Sequence, residues 1–124
     1  MPDADVFAAL RKILIPHAKR MTVIADTDRV YYLDSKVIFR GKPLFFAAVR
    51  RGKAYVSFHL MPIYGCPELR DTLSPGLRKR MQGKSCFNFK SVDAALFKEL
   101  AAVTKAGAQR FASKDWDPSK GTCD

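Results

Sequence analysis

Residues 42–64, KPLFFAAVRRGKAYVSFHLMPIY, constrain the fold more than any other stretch. Residues 44–49 are apolar at every position, the pattern of a strand covered on both faces. Arg50, Arg51, Gly52 and Lys53 then make a short turn, with Gly52 free to take a positive φ angle. From 54 to 61 the chain alternates. Ala54, Val56, Phe58 and Leu60 fall on one side, and Tyr55, Ser57, His59 and Met61 on the other. The first set reads as core. The second lines a groove or faces water. A hairpin of this kind demands a sheet, and the rest of the chain must cover it.

The flanking sequence supplies the cover. Val6, Phe7, Leu10, Ile13 and Leu14 recur at helical spacing behind Asp3 or Asp5 as a cap, and Pro16 ends or kinks that helix. Residues 21–26, 29–33 and 36–40 read as strands, with turns at Asp26-Thr27-Asp28, at Asp34-Ser35 and at Arg40-Gly41-Lys42-Pro43. After the hairpin, Pro67 suits the start of a short helix, and Ser74 caps a second one running through Leu77 and Met81. Residues 84–89 form a last strand. Ser91 caps a final helix from 92 to about 112, with Val92, Leu96, Leu100, Val103 and Phe111 as its stripe. The expectation is one α+β domain over residues 1–112 and a polar tail over 113–124. An antiparallel meander, flanked by N- and C-terminal helices, makes two layers. The terminal helices share one face of the sheet. The other face is then open, sealed by the middle helices, or buried in a partner.

Charge points to a kind of partner. The net charge is +10, and no acidic residue lies between Asp34 and Glu68. Lys36, Arg40, Lys42, Arg50, Arg51 and Lys53 fall in that interval, and Arg78, Lys79, Arg80, Lys84 and Lys90 follow it. Such a field suits a polyanion. Three cysteines without regular spacing read as reduced thiols, which with the lack of a signal peptide places the protein in the cytoplasm. No segment reaches the length of a membrane span, so no membrane partner is expected. No cofactor motif and no metal-ligand spacing is present.

The hairpin and the segment after it carry a likeness. Gly41-Lys42-Pro43-Leu44-Phe45-Phe46-Ala47-Ala48, the following strand ending in Met61-Pro62, and Gly83-Lys84-Ser85-Cys86-Phe87-Asn88-Phe89 together resemble the YdhG-like proteins. These are a bacterial family of unknown function with a frataxin-like fold, and the likeness spans roughly residues 5 to 112. The Met-Pro-aromatic turn that usually precedes the family's Gly-Lys-Pro strand is absent here. One branch of that family is held to carry iron on acidic residues. The resemblance therefore implies the α+β fold and, at its furthest, an intracellular iron carrier. The first helix offers only Asp3 and Asp5 for that role, with Asp26, Asp28 and Asp34 nearest.

Three sets of residues carry the functional expectations. Cys66 at a helix start and His59 seven residues earlier suggest a nucleophile and base, but no orienting group or oxyanion motif accompanies them, so catalysis is not expected. Arg50, Arg51, Lys53, Arg78, Lys79, Arg80 and Lys84 form the candidate anion or nucleic-acid set. Tyr31, Tyr55, His59, Met61 and Tyr64 form the candidate ligand set, on the premise that they share the sheet face away from the terminal helices. The reading is a non-enzymatic binding or adaptor protein that holds a small or anionic partner on that face. Its alternatives are nucleic-acid binding through the basic clusters and iron carriage. A homodimer through the aromatic face is a further expectation.

Overall fold

The computed structural model describes residues 2–39, 41–65, 67–83 and 86–111. Helix α1 (Pro2–Leu14) runs into a 3-10 segment (Ile15–Arg20). Strands β1 (Thr22–Asp26), β2 (Val30–Phe39), β3 (Lys42–Arg51) and β4 (Val56–Leu60) follow as an antiparallel meander. Three short helices come next: α2 (Met61–Gly65), α3 (Pro67–Asp71) and α4 (Pro75–Arg78). Strands β5 (Met81–Gln82) and β6 (Cys86–Phe89) and helix α5 (Ala94–Phe111) complete the described chain. The six strands lie in the order β1-β2-β3-β4-β6-β5, and every pairing is antiparallel. This is the α+β, two-layer arrangement that the hairpin and its flanking helices predict. The 113–124 tail and Phe111's side chain lie outside the described residues.

The registers show which face each residue takes. Tyr31, Val49, Phe58 and Phe87 lie side by side across four strands, and Leu33, Ala47 and Leu60 form the row beside them. Directly opposed residues share a face. This face is buried with Val6, Phe7, Leu10 and Leu14 of α1 and Phe97, Leu100 and Val103 of α5. Ile63, Leu69, Leu73 and Leu77 of the middle segment belong to the same cluster. So the middle helices join the terminal helices on one side, and no described element packs on the other face of the sheet.

Local chemistry explains where the elements differ from the sequence reading. Asp34-Ser35 is not a turn, because β2 runs through it as one strand. The buried Ser35 hydroxyl donates to Leu44 O at 2.7 Å and accepts from Val37 N at 3.2 Å, standing in for ladder bonds. Opposite, Leu33 pairs with Ala47 and Asp34 with Phe45, which leaves Phe46 unopposed. This is a β-bulge: Phe46 and Ala47 both enter the core, and Phe45 is returned to the outer face. Gly52 does not take a positive φ; Gly41 and Gly83 do, at 80° and 79°. Gly52 instead donates its N–H to Tyr55 O, and a Cβ there would meet that oxygen at 3.0 Å.

The helix ends also shift. α1 begins at Pro2, so Asp5 lies inside the helix rather than ahead of it. Ser74 does cap α4, accepting from Leu77 N. Its own N–H and hydroxyl donate to the Glu99 carboxylate at 2.8 and 2.6 Å, tying α4 to α5. Met81 lies on β5 and not on a helix, because it pairs with Phe87 at the sheet edge. Asp93, not Ser91, caps α5 by accepting from Leu96 N, which leaves Val92 outside the helix and exposed. On α5, Gly107 meets Pro62 of α2 so closely that a Cβ would sit 2.6 Å from the proline ring.

Candidate functional site

The outer face of the sheet is built from the residues between the core positions. β4 alternates buried Val56, Phe58 and Leu60 with half-buried Ser57 and His59. β6 does the same, with Phe87 and Phe89 inward and Cys86 and Asn88 outward. One outward row runs Ala25, Tyr32, Ala48, His59, Cys86, Gln82 across all six strands. The next row runs Val30, Arg50, Ser57, Asn88, and the Asn88 N–H bonds to Arg80 O to continue it.

A polar network occupies the β4–β6 side. The Ser57 hydroxyl donates to Asn88 Oδ1 at 2.9 Å, and Asn88 Nδ2 donates to Gln82 Oε1 at 3.1 Å. Cys86 Sγ lies 3.5 Å from Asn88 Oδ1 and 3.7 Å from His59 Nε2. Burial holds His59 below its usual value of 6.5, and the Arg50 charge adds to that. Burial pushes the Cys86 thiol above its usual value, against a smaller opposing effect of Ser57. Near neutral pH the pair therefore rests as neutral imidazole and protonated thiol. Cys86 therefore lacks the standing thiolate of an activated nucleophile.

Rings occupy the β2–β3 side. Tyr32 and Phe45 are half-buried and tilted together, with centroids 4.8 Å apart. Asp34 lies opposite Phe45, and burial raises its carboxyl pKa. The Tyr32 phenol is pushed up by burial and by Asp34, and drawn partly back by Arg50. Tyr32, Phe45 and His59 thus present three rings on one sheet face beside a cation.

The aromatic groove expected from Tyr31, Tyr55, His59, Met61 and Tyr64 does not form. Tyr31 is 3% exposed and points into the core, where its ring lies under the Arg11 guanidinium. Tyr55 sits in the β3–β4 turn and is 39% exposed. Met61 packs against the core from α2, and Tyr64 is exposed on the same helix. Only His59 holds the expected position. Tyr32, Phe45, Cys86, Asn88 and Gln82 lie outside both candidate sets, and Ser57 is marked only by its alternation with Val56 and Phe58. The alternation of residues 86–89 was the signal that would have found Cys86 and Asn88.

The basic set divides. The Arg78 guanidinium donates to the carbonyls of Leu73, Arg70 and Asp71, so it closes the end of α3. Arg51 falls on the helix-side row opposite Val56 and donates to Asp28 O. Arg50, Lys53, Lys79 and Arg80 are exposed. Lys79 and Arg80 also border a shallow depression of about 460 Å³ with Gly76, Asp93, Ala95 and Leu96. Lys84 and Cys66 lie outside the described residues, so the suggested Cys66–His59 pair has no described geometry. Of the acids considered for iron, Asp26 is held by Arg11 at 2.9 and 3.1 Å. Among the described residues, no group of three or more His, Cys, Asp or Glu side chains is placed to hold a metal ion. No described helix is long and apolar enough to cross a membrane.

Compared with family models, with curated proteins and with solved structures, the chain gives no match.

Proposed function

We propose that the protein is a non-enzymatic binding protein that holds an anionic, ring-bearing partner across the outer face of its sheet. The observation that carries this is the pairing of three ring side chains with an exposed arginine on a face that no described element covers. A sheet face left without a helix layer ordinarily carries water-loving residues. Here it carries Tyr32, Phe45 and His59 together with hydrogen-bonding groups from Ser57, Cys86, Asn88 and Gln82. Rings give contact area and the polar tips give orientation, the usual division of labour in a binding site. Arg50 supplies the attraction for negative charge. The YdhG-like resemblance belongs to this reading as the proposed family, and a cytoplasmic setting as the proposed location. Iron carriage is the weaker proposal, since the acids it needs are dispersed or engaged.

The test is a shift map of the ¹⁵N-labelled protein with adenosine monophosphate and, separately, inorganic phosphate. Perturbations confined to outward residues of β2, β3, β4 and β6, larger for the nucleotide than for phosphate, support the reading. Perturbations on the helix layer, or none with either probe, overturn it.

A further inference from the structure

Antiparallel order brings six strand ends together. β1 finishes at Asp26, β3 at Arg51 and β6 at Phe89, while β2 begins at Val30, β4 at Val56 and β5 at Met81, all at one end of the sheet. The residues just within or beyond those ends include Arg29, Arg50, Lys53, Lys79, Arg80 and Lys90, each exposed. None of the six forms an ion pair with another described residue. Asp26 and Asp28 are the exposed acids at this end, and Asp26 is held by Arg11. Neighbouring strands are about 4.8 Å apart, so Arg50 and Arg80, at the two ends of the Ser57–Asn88 row, stand about 14 Å apart. With Arg29, Lys53, Lys79 and Lys90 beyond them, the cations are spread along the whole end of the sheet, an extended row that suits a chain of phosphates better than a single one.

The rings lie one row further along the same face. Tyr32 and His59 stand two residues along their strands from Val30 and Ser57, roughly 7 Å from the arginine row. A cation row bordering a ring row is the arrangement that holds a backbone on one side and bases on the other. We infer that the partner is single-stranded nucleic acid, its phosphates along the basic end of the sheet and its bases against Tyr32, Phe45 and His59. This rests on the binding-face reading above. A duplex does not fit, because its base faces are stacked away. Reading a duplex from its major groove calls for an inserted helix or two-stranded ribbon, and a broad sheet face offers neither.

The test is fluorescence anisotropy with an end-labelled mixed-sequence single strand of about 12 nucleotides and with the same sequence as a duplex. Single-strand binding should exceed duplex binding and fall with salt. About three to five phosphate contacts give a log–log slope of roughly −2 to −3.5. Arg50→Ala with Lys53→Ala should lower that slope by roughly 1. Tyr32→Leu, which keeps the apolar volume, should weaken binding roughly 5- to 100-fold with little change of slope, because stacking is not ionic. Circular dichroism checks that each variant is folded, and Phe45→Leu serves if Tyr32→Leu is not. Polyphosphate competing as well as the oligonucleotide, with no effect of Tyr32→Leu or Phe45→Leu, would overturn the inference in favour of a general polyanion. Adenosine monophosphate binding on the face with no gain for the oligonucleotide would also overturn it, while leaving the binding-face reading in place. No binding of either would remove both.

Discussion

Gly107→Ala sets two opposite effects against each other at the α2–α5 crossing. In an exposed helix interior, alanine in place of glycine stabilises by about 1 kcal/mol, because the unfolded chain has less freedom to lose. At position 107 the added methyl would stand 2.6 and 2.7 Å from Cβ and Cγ of Pro62. Carbon atoms in ordinary contact are about 3.5–4.0 Å apart, so the two helices must separate by about 1 Å. Pro62 is buried and its ring has no rotamer in which to retreat. Overpacking of this kind costs about 1–3 kcal/mol, and the separation also loosens Ile63 beside it, which is fully buried. The clash wins: set against the gain of about 1 kcal/mol, it leaves a net destabilisation of up to about 2 kcal/mol, a fall in Tm of up to roughly 8 °C. Urea denaturation measures it. The midpoint should drop with the m-value unchanged. A variant more stable than the parent would show that propensity dominates and that the crossing is not this close.

Three further outcomes follow from single groups. The Thr104 hydroxyl is buried and has no hydrogen-bond partner among the described residues, so Thr104→Val, which keeps the shape, should raise stability by about 1 kcal/mol and move the urea midpoint up. Ser35→Ala strips one backbone carbonyl and one amide of their partner in the middle of β2, and should cost about 1–3 kcal/mol by the same measurement. His17 and His59 are both held below 6.5, chiefly by burial, with Arg20 and Lys105 adding to the effect at His17 and Arg50 at His59. The unfolded chain then binds protons before the folded one does, so stability should decline as pH falls through 6.5 and level off below the folded values. Replacing both histidines with glutamine should flatten that stretch of a midpoint-against-pH curve, and an unchanged slope would assign it to other groups.

The sequence is most informative where one residue's neighbours decide its direction. The alternation of residues 56–60 put Val56, Phe58 and Leu60 inside and Ser57 and His59 outside, as the structure has them. Helical spacing likewise found the buried side of α1, apart from half-buried Ile13. It fails where direction depends on a partner far along the chain. Tyr31 and Tyr32 are adjacent, and a slip of one residue exchanges core for surface. Which ring faces out is fixed by the pairing with Val49 and Ala48, and nothing local reveals that. The bulge at Phe46 is similar. It goes with the Ser35–Leu44 bond between strands, and an unbroken apolar run gave no hint that Phe45 would be turned outward. The middle helices were legible as helices but not as core, because Ile63, Leu69, Leu73 and Leu77 lie on three short pieces with no single period.

The division of β4 and β6 into inward and outward positions has a consequence for how such a protein can change. Val56, Phe58, Leu60, Phe87 and Phe89 belong to the hydrophobic core, and the residues between them lie outside it, joined by side-chain hydrogen bonds at the surface. Ser57, His59, Cys86 and Asn88 can therefore be exchanged as a group while the helix layer keeps the chain folded. A library varying only those four positions should yield mostly folded members that differ in what they hold. One scaffold of this kind can drift between partners by short substitutional steps, with selection for foldedness and selection for recognition acting on separate letters of the same strands.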